Sequence, residues 1–296
     1  MDWDNFRIFL EVARARQLLA VARKLGINHA TVARRLSRLE KDLHAKLVDR
    51  KTSGCELTPA GERLLEITER IETAALQAQS TVGNADLALS GTVRIGAPDG
   101  FGSYFLAPRL ARLKRLHPAL TIQLVPVPLN FSLPKREVDI AITLQLPSEG
   151  RLVARKLTDY SLGFYASRDY LDQAPPLETV EDLKNHTLIT YVPDLLYSPA
   201  LDYSEVVKGI DTYRLECASV IGQFEAIAAG SGVGILHDFM MPRHPGLVRV
   251  LPTIAFTRAY WLVCHADIHD LRRVREVEAF IVQEVQAARS MFVLAR

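Results

Sequence analysis

Cysteine is scarce in this sequence. Its three residues, Cys55, Cys217 and Cys264, are scattered over 296 positions. That excludes a small disulfide-stapled scaffold and fits a reducing compartment, so a cytoplasmic location is expected. Long apolar runs are also missing. No stretch approaches the roughly 20 residues that a membrane span needs. The opening Met1-Asp2-Trp3-Asp4 shows neither a basic region nor an apolar segment, so no secretory signal is expected. Internal repeats and low-complexity tracts are absent. The apolar share is nonetheless 48%. A chain of this length and composition is suited to two or three globular domains with sizeable cores.

Net charge is small, +2, but unevenly placed. Residues 1–58 hold twelve Lys/Arg against seven Asp/Glu, hence +5; residues 59–90 hold two against five, hence −3; residues 91–296 hold twenty-two of each. A local basic unit on a neutral body suits a sequence-reading domain on a sensor, not a general polyanion coat.

Within the basic segment, Leu18, Val21, Ala22 and Leu25 form one apolar stripe at helical spacing. Gly26 ends that helix and Asn28 caps the next. Val32, Leu36, Leu39 and Leu43 form a second stripe, which places Ala30, Arg34, Ser37, Arg38 and Lys41 on the opposite face. Two helices across a Gly-containing turn are a helix-turn-helix pattern, whose second helix enters the major groove N-terminus first. The bland alternative is a helical hairpin with a solvated basic face. Phe6, Phe9, Leu10 and Ala13 give a first helix to pack across these two. Leu47–Lys51 and Glu56–Thr58 flank Thr52-Ser53-Gly54-Cys55 and read as a hairpin, the wing of a winged helix. Arg50 and Lys51 at its edge either contact phosphates or pair locally, Arg50 with Asp49 or Glu56.

Thr58-Pro59 starts a long helix, expected to continue to Ser90-Gly91. Leu64, Ile71, Ala78 and Ala85, and offset from them Ile67, Ala74, Thr81 and Ala88, recur every seven residues as a helix–helix seam. The partner is expected to be a second copy of the chain. From Thr92 onward the pattern alternates. Strands are expected at Thr92–Ala97, Thr121–Val127, Val138–Leu144, Ser161–Ala166, Thr187–Val192, Tyr213–Ala218, Gly232–Leu236 and Tyr260–His265, and helices at Ser103–Leu116, Ile221–Ala229 and Leu271–Ala287. Such alternation implies largely parallel sheets covered on both faces.

With these pieces placed, the chain resembles the LysR-type transcriptional regulators over essentially its whole length. Phe6-x-x-Phe9-Leu10-x-Val12-Ala13, Ala22-x-x-Leu25-Gly26-Ile27, Val32-x-Arg34-x-Leu36-x-x-Leu39-Glu40-x-x-Leu43, Leu47-Val48-x-Arg50 and Leu57-Thr58-x-Ala60-Gly61 carry the first part of the match. Arg136-Glu137-x-Asp139-Ile140-Ala141-Ile142 and Gly230-x-Gly232-Val233-Gly234-Ile235-Leu236 carry the rest. The resemblance implies a winged helix-turn-helix (1–58), a dimerising linker helix (59–90) and a two-lobed α/β effector domain like a periplasmic binding protein (91–296). Lobe I is expected at about 91–161 and 266–296, lobe II at about 162–265. It further implies binding to double-stranded operator DNA, homotetramers built as dimers of dimers, and regulation by a small molecule between the lobes, with no catalytic role, no cofactor and no membrane partner.

The DNA-contacting set is then Asn28, His29, Ala30, Thr31, Ala33, Arg34, Arg35 and Arg38, with Arg50 and Lys51 from the wing. Arg34 is the expected base contact, and Arg35 is expected to bind phosphate or Glu40. Two departures from the family pattern stand out. Gln17 and Leu19 replace the usual Ser and Thr, leaving the cap of that helix unassigned. Asn28-His29-Ala30 replaces the usual Ser-Gln-Pro, which shifts base preference. On the effector side the expected set is Asp99, Gly100, Phe101, Gly102 and Ser103 after the first strand, Asn130 and Phe131 across the cleft, and Ser219, Val220 and Gln223 at the second-lobe helix. Backbone N–H groups at such helix starts make anion sites, although Asp99 competes there with an anionic ligand. For Phe101 and Phe131 core packing is the competing reading.

Other chemistry was weighed. The glycines of Gly230–Gly234 precede their strand, unlike a dinucleotide loop. Cys264, His265 and His269 lack a fourth ligand at a usual spacing, so no metal is expected. Cys217 has no resolving partner for redox sensing. The rival function is a solute-binding or enzymatic α/β protein with an N-terminal helical dimerisation module. A third reading is a regulator whose effector is a partner protein.

Overall fold

The structure, a computed structural model, describes residues 2–51, 54–82, 89–126, 138–147 and 150–293. The chain divides into two compact units, Met1–Leu87 and Ala88–Arg296.

In the first unit α1 (Trp3–Ala15) is capped by Asp2 and ends at Arg16 in the left-handed conformation. Helix α2 (Leu18–Leu25) has no side-chain cap at Gln17 and stops at Gly26 with φ +66°. Helix α3 (His29–Asp42) starts where Asn28 Oδ1 accepts from the Ala30 N–H at 2.8 Å. The two stripes meet as expected: Phe9, Val12, Val21, Val32, Leu36 and Leu39 are buried in one core. Strands β1 (Val48–Lys51) and β2 (Gly54–Leu57) pair antiparallel as the wing; its Thr52-Ser53 turn lies outside the described residues. Glu40 ties α3 to this hairpin by accepting from the backbone N–H groups of Leu47 and Val48.

Helix α4 (Pro59–Val82) begins on a local cap, Thr58 Oγ1 accepting from Gly61 N–H. Gly61 is needed there because a Cβ would stand 2.1 Å from the Leu47 carbonyl. Near its start, Leu64 and Leu65 pack against the core of this unit, whereas Ile67 is half exposed. Arg14 of α1 pairs with Glu72 at 2.7 Å and lies 3.8 Å from the buried Glu69. The helix expected through Ser90 ends sooner: Leu89 and Ser90 are non-helical and Gly91 already pairs with Leu120 in a sheet. The seam residues Ala85 and Ala88 fall outside the described residues, as does the side chain of Thr81.

The second unit is built on one eight-stranded sheet in the order β4-β3-β5-β10-β6-β9-β7-β8. Its strands are β3 (Gly91–Ala97), β4 (Leu120–Pro126), β5 (Ile140–Thr143), β6 (Leu152–Ser167), β7 (Thr187–Thr190), β8 (Tyr213–Glu216), β9 (Val233–His237) and β10 (Leu247–His265). Strands β4, β3 and β5 are parallel and form lobe I; β9, β7 and β8 are parallel and form lobe II. The expectation of largely parallel sheets fails in the middle. The long strands β6 and β10 run antiparallel to each other and through both lobes. The C-terminal half of β10 pairs with β5, and the C-terminal half of β6 pairs with β9. The spans Ser161–Ala166 and Tyr260–His265 are only parts of longer strands: the first half of β6 is polar and largely exposed, and the first part of β10 is apolar with Leu247, Val250 and Leu251 buried.

After β3 the chain forms a π-helical turn, Gly100–Leu106, that runs into α5 (Ala107–Leu116). The Ala107 N–H reaches back to the Gly102 carbonyl. Pro108 has no N–H to return to the preceding turn, which accounts for the change of register. Short α6 (Arg168–Leu171) follows β6, α7 (Val220–Ala228) covers lobe II, and α8 (Ala266–His269) and α9 (Arg272–Ala287) return the chain to lobe I, followed by α10 (Arg289–Phe292). Phe164, Leu183, Leu188, Val233 and Val250 centre the lobe II core. No helix among the described residues is long and apolar enough to cross a membrane.

Candidate DNA interface and effector cleft

The outward face of α3 carries exposed Asn28, His29, Ala30, Arg34, Ser37, Arg38 and Lys41, while Thr31, Ala33 and Arg35 are half-buried at its margins. The charge state of this face is decided by pairing. Arg35 is held by Asp4 at 2.5 Å, not by Glu40, whose carboxylate is occupied by the wing backbone. Lys24 pairs with Glu11 at 2.5 Å, and Lys51 with Glu56 at 2.6 Å. Arg34, Arg38 and Lys41 have no ion pair among the described residues. Arg50 pairs with neither Asp49 nor Glu56; its Nη2 lies 3.4 Å from Ser37 Oγ, beside the same face. The fold thus neutralises Lys24, Arg35 and Lys51 and leaves a row of unneutralised charge along the outward face of α3. Such cations neutralise phosphates and release the counterions condensed on DNA. Of the ten expected contacts, Asn28, His29, Ala30, Arg34, Arg38 and Arg50 share one exposed surface. Lys51 and Arg35 are committed elsewhere.

In the second unit the two lobes meet at Asp99. Its Oδ1 accepts from the Gly100 N–H at 2.9 Å, and its Oδ2 accepts from Ser219 Oγ at 2.5 Å. Ser219 also caps α7, accepting from the N–H groups of Ile221 and Gly222. A residue of lobe I therefore supplies the negative charge at the N-terminus of a lobe II helix, where the helix dipole favours it. Gly100 permits the approach: a Cβ there would stand 2.8 Å from Val220 Cγ1 and 3.5 Å from His237 Cε1. A second bridge is Tyr104, whose hydroxyl donates to the Met240 carbonyl.

Of the expected effector residues, Asp99, Gly100, Ser219 and Val220 come together. Gln223, one turn on, is buried and lines a cavity of about 260 Å³ with Tyr191, Tyr203, Arg214 and Asp202, among apolar residues that include Phe164, Leu188 and Ile235. Phe101 does not face the cleft. It is fully buried, with ring centroids 5.1 Å from Phe105 and 4.8 Å from Tyr260, because the π-helical turn rotates it into lobe I. Gly102 is likewise buried, against Ala97 and Leu124. Ser103 is exposed. Asn130 and Phe131 lie outside the described residues.

The sequence reading missed a set of tyrosines around Asp99. Burial first, and the Asp99 carboxylate second, push the Tyr191 and Tyr197 hydroxyls above their ordinary range. Burial raises Tyr203 to about 12, and its hydroxyl has no hydrogen-bond partner. Tyr160 and Tyr260 stack at 4.1 Å, and Tyr160 stacks in turn on His237. Burial drives His237 down to about 3, so it is neutral, with Nδ1 unpartnered. Nearby, the buried Asp238 accepts from Tyr165 Oη at 2.5 Å and from Ser161, and pairs with Arg249 at 3.3 Å. No local motif marks these residues; they converge only through the sheet order.

Comparison with known proteins gives two family matches. Residues 3–62 match the family described as "Bacterial regulatory helix-turn-helix protein, lysR family", and residues 88–286 match "LysR substrate binding domain". The chain is 27% identical over 261 residues to the HTH-type transcriptional regulator PtxR of Pseudomonas aeruginosa, covering 85% of this chain and 82% of that one. In fold it is similar to ArgP from Mycobacterium tuberculosis, with TM-score 0.72, 18% identity and full coverage of both chains. It is also similar to full-length LysG from Corynebacterium glutamicum with bound effector Arg, with TM-score 0.70, 16% identity, and coverage of 97% and 99%.

Proposed function

The chain belongs to the LysR-type DNA-binding transcription regulators, and from that premise we propose how its residues divide the work. Helix α3 enters the major groove of an operator with Arg34 on a base edge. Arg38, Lys41 and Arg50 take phosphates. His29 and Ala30 meet bases at the open N-terminus. The observation that carries this assignment is the unpaired row Arg34–Arg38–Lys41 on one exposed face, beside Lys24, Arg35 and Lys51, each of which a carboxylate neutralises. Helix α4, with Ile67 exposed, joins two copies, and two such dimers form the tetramer. A small molecule enters between the lobes and replaces the Asp99–Ser219 bridge with its own groups. It shifts the population towards whichever lobe arrangement it binds better, and so changes the spacing of the DNA-binding units.

The test is binding of the full chain to labelled DNA from upstream of its own gene, against a shuffled fragment, over a range of salt. Preference for the natural fragment, with affinity falling steeply as salt rises, supports the reading. Equal, salt-insensitive binding by folded protein overturns it.

A further inference from the structure

Where β10 passes into α8 and α9, three side chains of different chemistry meet: Cys264, the last but one residue of the strand; His269, at the end of α8; and Glu278, on α9. Their ligand atoms all lie within 4.8 Å of one another. Cys264 Sγ is 3.5 Å from His269 Nδ1, and His269 Nδ1 is 3.3 Å from Glu278 Oε2. Zinc bonds of about 2.3 Å to sulfur and about 2.0–2.2 Å to nitrogen and oxygen set tetrahedral edges of about 3.5 Å for S···N and about 3.4 Å for N···O. The two measured edges have the dimensions of a metal centre, and the third lies within 4.8 Å.

Two further observations bear on this corner. Glu278 is nine-tenths buried; its Oε1 has no hydrogen-bond partner among the described residues, while the carboxylate faces the Cys264 thiol and the His269 imidazole. Asp139 and Asp270 add negative charge around Cys264. A buried carboxylate with a spare oxygen, in a negative field, favours a cation. A Cys–His–Glu nucleophile relay does not fit, because it needs the two imidazole nitrogens to serve the thiol and the carboxylate separately. Here the single atom Nδ1 faces both, which is how ligands surround a common ion.

We infer that Cys264, His269 and Glu278 form a three-ligand site for a borderline-soft divalent transition metal, zinc foremost, with solvent at the fourth position on the side where His269 is exposed. Thiolate and imidazole disfavour magnesium and calcium, which prefer oxygen cages. Binding replaces the thiol proton by the metal: Cys–SH plus M²⁺ gives Cys–S–M⁺ plus H⁺ released to solvent. In sequence His265 is the nearer candidate for this role. The structure uses His265 to cap α8, its Nδ1 accepting from the Asp267 N–H, and brings in Glu278 from the next helix. The site fixes the strand–helix corner of lobe I, remote in sequence from the Asp99 bridge.

The test is titration of reduced, chelator-treated full-length protein with Co²⁺, followed by Zn²⁺. The expected result is about one cobalt per chain, a thiolate-to-cobalt charge-transfer absorption, intense tetrahedral visible bands, and displacement of all of these by zinc. His269→Ala changes a partly exposed side chain and leaves the fold intact; it should weaken binding by at least the roughly 10–100-fold that loss of a mere supporting group costs. Cys264→Ser should remove the charge-transfer band. Folded protein with no stoichiometric cobalt overturns the site. So does a charge-transfer band that survives in Cys264→Ser, which would place the metal at Cys55 or Cys217, or unchanged affinity in His269→Ala.

Discussion

Helices α3 and α7 begin in the same way and end up in opposite states. Each is opened by a side-chain cap, Asn28 on one and Ser219 on the other. Each presents the positive end of its dipole. Among the described residues no carboxylate is bonded to the cap of α3; small and polar residues stand at its start and unpaired cations follow along its outward face. In front of α7 stands Asp99, reaching across from the other lobe. One N-terminus is left for a polyanion, and the other already holds an internal anion that an incoming ligand must replace. The difference lies in the surrounding charge, not in the helices.

Breaking the first half of that contrast should give the largest effect. Arg34→Ala should cost about 1–3 kcal/mol on the cognate operator and relax specificity at one position, read by anisotropy against single-base variants. An equal loss on every sequence would make Arg34 a phosphate contact only. The second half is probed through pH. His237, behind Gly100, is held neutral with its pKa near 3, while the unfolded chain takes up a proton near 6.5. Between those values only the unfolded state is protonated. Stability should therefore fall as pH drops through that window, by up to about 1.4 kcal/mol per unit. Denaturant midpoints of His237→Phe should show a shallower acid slope.

A matched pair sharpens the comparison. Asn28→Ala and Ser219→Ala should each lose about 1 kcal/mol of stability as caps. Only the first should weaken DNA binding at fixed fold, and only the second should loosen the lobes, seen as faster amide exchange at Gly100 and Ile221. Smallest is the wing. Arg50→Gln should lower the salt slope of DNA binding by about 1, whereas Lys51→Gln, already paired with Glu56, should change it little.

The first unit was readable because its stripes are clean. Val21, Leu36 and Leu39 recur at helical spacing and all end fully buried. The polar half of β6 hid from the same reasoning: Arg155, Lys156, Thr158 and Asp159 do not look like strand, and only pairing with β10 makes them so. Loop position alone points Phe101 to the cleft, and the π-helical turn, a matter of one carbonyl's register, sends it inward. Which cations stay unpaired depends on Asp4, Glu11 and Glu56 arriving from other elements, and Glu278 meets Cys264 only after α8 has turned the chain. Local pattern carried the elements; convergence of distant residues carried the chemistry.

Strands β6 and β10 belong to both lobes at once, and that restricts how the lobes can move. A pair of hydrogen-bonded ribbons resists stretching and in-plane shear, since either would break the ladder, but it bends across its width. Its register shifts, at Val250/Ala255 and Tyr260/Trp261, and the left-handed Leu251 beside the first of them, are the soft points. Mechanically the pair is a leaf spring with a single easy axis. Whatever enters the cleft therefore selects a position along one angular coordinate, and its signal can be as simple as how far the spring is flexed.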